Sequence, residues 1–440
     1  MNSAESQAML ITCREKGWEE AGDGESADLV VINTCCVRNT AEKRAMGRIA
    51  DYAGVKKRLH AERPHFAVVV AGCMAQRMGE TLKEKIPAVD YVMGTADRRA
   101  FPLILDAVEK TAKGERAFAE ISGGENRAFS FSKTHFREGQ FRSLVPVMHG
   151  CDSFCSYCIV PYVRGREVSR DPDQIIGEIA LAGEKGIREI TLLGQNVNAY
   201  NWNSGKTGFA DLIRVTADQA QKSGVRWLRF LSANPKDFSL QTVQAMAENP
   251  GFCRHLHLCV QHGSDRILSA MNRGYSRKQY ISLVREIRLA MPQISLSTDI
   301  LVGFPGETED DFEEVLSLME EVRFLYAYTY HYNPMEGTAA YKLPGRVPEE
   351  VKLERLERVM AAQKKHTAQI MEARIGNRET VLIEGVSRKN ADELVTRTEK
   401  DEMVVVPGRA SMAGSFASLT LSGLRGNTFR ANELFPDSVG

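Results

Sequence analysis

Cys151, Cys155 and Cys158 fall within eight residues of the stretch GCDSFCSYCIVPYVRGRE, and no fourth cysteine completes a square around them. Clustered thiolates hold iron or zinc. Four close a 4Fe-4S cubane or a tetrahedral structural zinc site, whereas three leave one iron of a cubane open, which suits a cluster that must bind something else. Two other readings compete. His149 could complete a Cys3His zinc site, or the cysteines could be plain core, a reading that the neighbouring Asp152, Ser153 and Arg164 disfavour. Tyr157 adds a planar face immediately before Cys158.

A chain of 440 residues is too long for one ordinary core and implies two or three domains. From 28 to 34 and from 66 to 72 run short β-branched segments, each stopping at cysteine: Cys35-Cys36 after the first, Cys73 after the second. The charged, helically spaced stretch between them makes a βαβ unit, with both cysteine positions beyond the carboxyl ends of parallel strands, where open α/β sheets bind ligands. A polar, Gly-containing linker is expected over 121–140. After it, SLVPVMHG leads into the three-cysteine loop. Five more strands follow (EITLLG, WLRFLSA, HLHLCV, SLSTDILVG, LYAYTYHY), alternating with helices expected at 171–186, 209–223, 238–248, 276–290 and 308–322. Six strands with helical crossovers predict a parallel (βα)6 part-barrel with its chemistry at the strand carboxyl ends. An amphipathic charged helix over 350–374 then leads to short strands with Gly-rich turns, a small β-barrel. The fold expected is therefore α/β with three domains: 1–120, 137–368 and 371–437.

Lys+Arg and Asp+Glu each number 57, so no global field draws the chain to nucleic acid or anionic lipid; any polyanion must be held by local patches. The terminal barrel is likewise not basic overall, and a purely structural cap stays open as its role. The longest apolar run, FAVVVAGCMA, falls short of the roughly 20 residues that span a bilayer, and MNSAESQAML lacks a basic leader, so a cytoplasmic protein is expected. Nine cysteines in a reducing compartment point to thiolate ligands, catalysis or packing rather than disulfides.

The C-x3-C-x2-C spacing after the first of six βα strands resembles the radical S-adenosylmethionine (SAM) enzymes. INTCCVRNTAEKR, AGCMAQ, GCDSFCSYCIVPYVRGREVSR, LLGQNVNAY, VQHGSDRIL, MNRGYSR, STDILVGFPGET and a TRAM-like terminal barrel occur in the order seen in MiaB-type tRNA methylthiotransferases. The resemblance covers essentially the whole chain. It implies a 4Fe-4S cluster on Cys151, Cys155 and Cys158, whose open iron chelates SAM and whose electron cleaves it to a 5′-deoxyadenosyl radical. An auxiliary 4Fe-4S cluster is implied on Cys35, Cys73 and a third cysteine. That third ligand belongs to a CQMN motif which MNSAES matches only from its Met onward, so it is expected just before Met1, with a truncated start. Cys13, mid-helix, and Cys36, facing away from Cys35 if the strand continues, are poorer substitutes. Cys253 and Cys259 match no ligand motif and are expected to pack.

By the same resemblance, methylthiolation occurs at C2 of N6-isopentenyl-adenosine beside the tRNA anticodon, with threonylcarbamoyl-adenosine tRNA or a ribosomal protein as alternative substrates. Gly194, Gln195 and Asn196 are expected near the SAM amino group, Gly303 near its adenine, and Ser232 and Gln261 near its ribose or carboxylate, with Tyr157 beside the cluster. Arg164, Arg166, Arg388, Lys389 and Arg397 are candidate phosphate contacts to an anticodon loop that must present its base unstacked. The expected partners are tRNA and an external electron donor, and the expected state is a monomer. A metal-stabilised RNA-binding protein without catalysis is the reading from another class.

Overall fold

The computed structural model describes residues 1–36, 39–59, 61–114, 136 and 139–436, so most of the expected linker over 121–140 lies outside the described residues. Two compact units form. The first comprises residues 1–135, 148–154 and 158–169, and the second 136–147, 155–157 and 170–440.

In the first unit, three parallel strands, Leu29–Thr34, Ala67–Gly72 and Tyr91–Met93, lie side by side in chain order. AVVVAG is the central strand and is buried along its whole length, as a β-branched run covered on both faces must be. Helix Asn39–Leu59 makes the crossover between the first two strands. Ile104, Leu105 and Val108 of helix Phe101–Ala112 pack on Val69, Ala71 and Met93, and Met9 and Cys13 of helix Asn2–Glu15 close the same cluster. Cys13 packs as its spacing predicts.

In the second unit, Arg142–Pro146, Glu189–Leu193 and Trp227–Phe230 form one parallel sheet, and His255–His257, Ser295–Val302 and Tyr326–His331 another. Parallel bridges Leu228 to Phe252 and Ala233 to Leu258 join them, so six parallel strands follow one another in chain order. The crossover helices start where short polar side chains can accept from exposed amides. Ser239, Ser276 and Thr308 each cap the helix that follows, and Gln279 and Asp311 reach back to complete capping boxes. A short helix, Asp265–Ala270, was not legible in the sequence pattern.

Helix Glu349–Glu372 covers the last strand. Its buried face is partly polar, and two of its side chains bond the backbone of the preceding segment: Gln363 donates to Phe324 O (2.9 Å) and Thr367 to Leu325 O (2.7 Å). Beyond it lies a seven-stranded, mostly antiparallel sheet whose core of Val381, Ile383, Leu394, Val404, Leu419 and Phe429 also takes in Leu325 and Met371. Asn390–Thr398, a polar-rich strand not anticipated from the sequence, pairs with Arg378–Ser387 as a hairpin.

Arg229, on the third parallel strand and 7% exposed, fastens this terminal sheet to the six-stranded part. It donates to Glu399 O (2.6 Å) and Thr398 O (3.1 Å), and its Nε lies 3.3 Å from Glu189. Removing one partner of a buried pair leaves the other charge uncompensated, at a cost of about 3–5 kcal/mol. Arg229→Ala is therefore expected to lower stability by about 3 kcal/mol, softened by the contact of Arg142 with Glu189 (3.4 Å), as read by chemical denaturation. An unchanged denaturation midpoint would contradict this role.

Candidate functional site

The two neighbouring strands of the first unit end in register, Thr34 opposite Gly72. Gly72 has φ +93°, and a Cβ there would lie 2.5 Å from both Asn33 Oδ1 and Thr34 O, so glycine is required immediately before Cys73. Cys73 opens helix Cys73–Met78, while Cys35 and Cys36 follow the first strand at the same edge. The strand stops at Thr34, so its alternation does not continue through the cysteines. Cys36 is fully buried, and its thiol is hydrogen-bonded to Cys73. That bond lowers the pKa of Cys73 against its burial and raises that of Cys36.

Arg164 is buried at this same edge. It pairs with Glu5 (2.5 Å), hydrogen-bonds Asn2 Oδ1 (2.7 Å) and stabilises the Cys73 thiolate; Arg98 pairs with Glu5 as well. The expectation of a phosphate contact at Arg164 thus gives way to an internal ion pair, because a carboxylate the sequence pattern did not flag takes its charge. A cavity of about 330 Å³ opens beside these groups, lined in part by Glu5, Asn33, Gly72 and Arg98. Burial, reinforced by Arg98 and Arg164, lowers the pKa of His149 to about 4, leaving it neutral at pH 7.

The three-cysteine loop contributes to both units. In the first, Cys151 N donates to Gly165 O (3.2 Å), and Asp152 and Glu167 exchange backbone-to-carboxylate bonds (3.1 and 3.2 Å). Gly150 has φ +78°, and a Cβ there would lie 1.9 Å from Arg166 O. Cys151 and Cys158 are half-buried. Arg166 remains largely exposed (69%), 3.0 Å from Asp152 and over the Phe154 ring.

In the second unit, the segment 155–157 is clamped by backbone. Ser156 N donates to Met271 O (3.0 Å), Ser156 Oγ to Ala270 O (2.8 Å), and Ala340 N to Ser156 O (2.7 Å). Cys155 is buried, and Tyr157 packs on Met271, Phe304 and Tyr332.

The strand carboxyl ends carry the other candidates. Gly194, Gln195 and Asn196 follow the second strand; Asn196 donates to Asp237 (2.8 Å), while Gln195 Oε1 is buried without a hydrogen-bond partner among the described residues. Ser232, Gln261 and Gly303 follow the third, fourth and fifth strands, and all three have left-handed backbones, φ +67°, +69° and +72°. For a residue with a Cβ this costs about 1–2 kcal/mol, and such strain gathers where function needs it. Gly303 also packs closely on the long helix, since a Cβ there would meet Lys352 Cγ at 2.4 Å.

In the terminal sheet, Arg397 bonds to Glu384 (2.6 Å) and Asp401 (3.1 Å), whereas Arg388 and Lys389 are exposed at a hairpin turn. Two groups escaped the sequence reading. Cys259 is not mere packing, since its sulfur lies 3.2 Å from His257 Nε2, itself 3.5 Å from Asp299; alternation of HLHLC placed His257 and Cys259 on one strand face without saying what they faced. Arg273, within the MNRGYSR motif, is buried against Cys155. Cys253, by contrast, packs with Trp227 and Leu382 as expected.

Residues 145–319 match the family model for the radical SAM superfamily, and residues 1–94 the model for uncharacterized protein family UPF0004. Among solved structures, a radical S-adenosylmethionine methyltransferase, TsrM from Kitasatospora setae, with cobalamin and a 4Fe-4S cluster bound, aligns with TM-score 0.58 at 16% identity, over 77% of this chain and 73% of that one. That likeness defines the fold class. Among curated relatives, the tRNA-2-methylthio-N(6)-dimethylallyladenosine synthase of Treponema denticola is 44% identical, covering 98% of this chain and 97% of its own, and that of Syntrophus aciditrophicus is 37% identical over 96% and 89%. The chain belongs to the family of tRNA-2-methylthio-N(6)-dimethylallyladenosine synthases.

Gly150 gives a direct check on the three-cysteine loop. Gly150→Ala forces a Cβ into backbone at a left-handed position, so the loop must move. Anaerobically reconstituted Gly150→Ala protein is expected to lose roughly half of its iron, the share of one of two equal clusters, by iron and sulfide analysis. Full iron content would show that the loop geometry does not matter to the metal.

Proposed function

We infer that this protein is a radical SAM methylthiotransferase that adds a methylthio group to C2 of N6-isopentenyl-adenosine next to the tRNA anticodon. The observation that carries this is identity of 37–44% to synthases of that name over nearly the whole chain, joined to the three-cysteine loop. Three thiolates fit a 4Fe-4S cubane with one open iron, and they do not close a structural zinc site. The orphaned Gln195 Oε1 fits a polar ligand such as SAM.

Cys151, Cys155 and Cys158 would hold one cluster, and Cys35 and Cys73 the auxiliary one, with a further ligand. Bound there, the two clusters and SAM supply the electron that cleaves the sulfonium and the sulfur that is transferred. The chain's own residues do the positioning. Gly194, Gln195 and Asn196 line one strand end for the SAM amino group, and the left-handed backbones at Ser232 and Gln261 turn their polar groups at neighbouring strand ends. Tyr157 lies next to Cys158 as a fixed planar face.

The base must leave its stack to reach the site, so the RNA is held by its backbone around an unstacked nucleotide. Exposed Arg166, Arg388 and Lys389 are the preferred phosphate contacts; Arg397, already paired, is a weaker one. We place the work in the cytoplasm, performed by a monomer fed by an external electron donor. Among the described residues no helix is long and apolar enough to cross a membrane.

The half-reactions separate the two clusters. Cys→Ala at 151, 155 or 158 is expected to abolish formation of 5′-deoxyadenosine, whereas Cys35→Ala or Cys73→Ala is expected to retain it and to lose transfer to tRNA. Both products are quantified by mass spectrometry of one sample. Retained cleavage in Cys155→Ala would refute the cluster assignment.

A further inference from the structure

Among the described residues of the second unit, four arginines are buried: Arg170, Arg229, Arg273 and Arg355. Three of them have a carboxylate, Arg170 with Glu178, Arg229 with Glu189 and Arg355 with Glu307. Arg273, 5% exposed, has none among the described residues. Its NH1 instead donates to Cys155 Sγ at 3.1 Å. Its other bonds go to neutral acceptors: Nε to Tyr275 OH (3.1 Å), and NH2 to Cys259 O (2.8 Å) and Asn234 Oδ1 (3.3 Å).

An unpaired buried cation is costly without an anion, and the acceptor among its contacts that is anionic when it ligates iron is the Cys155 sulfur. The guanidinium is also immobile. Nε and NH2 are held by three groups, and Asn234 is itself fixed, its amide accepting from Lys236 N (3.3 Å) while its own N–H is received by Asn198 Oδ1 (2.8 Å).

We propose that Arg273 is a positioning residue that raises the reduction potential of the cluster on Cys151, Cys155 and Cys158, through a fixed positive charge and an N–H donor on the Cys155 sulfur. This rests on the reading that those cysteines hold a 4Fe-4S cluster. Reduction adds one electron and no proton to the cluster, delivered by a low-potential one-electron donor. The added negative charge is stabilised by a cation already in place, and hydrogen bonds to cluster sulfurs shift the potential in the same direction. Because all partners but the thiolate are neutral, the charge of Arg273 acts on the cluster instead of being cancelled locally.

The test uses the full chain carrying Cys35→Ala and Cys73→Ala, so that one cluster remains, reconstituted anaerobically and titrated with dithionite under electron paramagnetic resonance. Arg273→Gln keeps hydrogen-bonding capacity and removes the charge; Arg273→Lys keeps the charge and, should the Gln variant not fold, serves alone. Arg273→Gln is expected to make reduction at least about tenfold less favourable, a midpoint about 59 mV more negative for one electron, with Arg273→Lys in between. An unmoved midpoint at unchanged iron and sulfide content would overturn the proposal, as would weaker SAM binding with an unmoved midpoint, which would assign the cation to SAM. Absence of any cluster signal in the parent protein would instead sink the cluster reading itself.

Discussion

Parallel strands deliver their carboxyl ends, and whatever follows them, to one edge of a sheet. Both units of this protein depend on that constraint. In the first, two strands in register from Leu29 opposite Ala67 to Thr34 opposite Gly72 bring Cys35, Cys36 and Cys73 to one place without any of them being neighbours across the strands in sequence. In the second, six parallel strands in chain order bring the Gly194–Asn196 segment, Ser232, Gln261 and Gly303 to the corresponding edge. Helices with matched caps and buried apolar faces keep the strands in that order; the chemistry is left to what hangs from the ends.

Two strained backbones and one unmatched amide oxygen lie at that edge. Ser232 and Gln261 hold left-handed backbones that a side chain disfavours, and Gln195 keeps a buried oxygen unmatched. Elsewhere several buried groups are bonded within the scaffold: Arg355 to Glu307, the Gln363 side-chain N–H to two carbonyls, Arg229 to Glu189 and two backbone carbonyls.

The strands and most helices were legible because their periodicities are strong, and the three-cysteine loop because its spacing is unusual. Strand Asn390–Thr398 was missed because ADELVTRT alternates weakly and carries charge; only its pairing with Arg378–Ser387 makes it a strand. Gly303 was legible as a special backbone position, but the atom that demands it, Lys352 Cγ, lies nearly fifty residues on. Arg164 and Arg273 show the same limit. One was expected at a phosphate and the other was not singled out, because the partner beside each, Glu5 or the Cys155 sulfur, is set by tertiary packing and not by local sequence.

The central claim, that these cysteines serve sulfur insertion into one tRNA nucleoside, is tested most directly by nucleoside mass spectrometry. The anaerobically reconstituted protein is incubated with SAM, dithionite and tRNA bearing isopentenyl-adenosine, and the tRNA is digested. The account predicts that isopentenyl-adenosine is converted to its 2-methylthio derivative, while threonylcarbamoyl-adenosine in the same tRNA pool and ribosomal protein are unchanged. SAM consumed with isopentenyl-adenosine unaltered, or a methylthio group appearing on either of the other substrates, would contradict it.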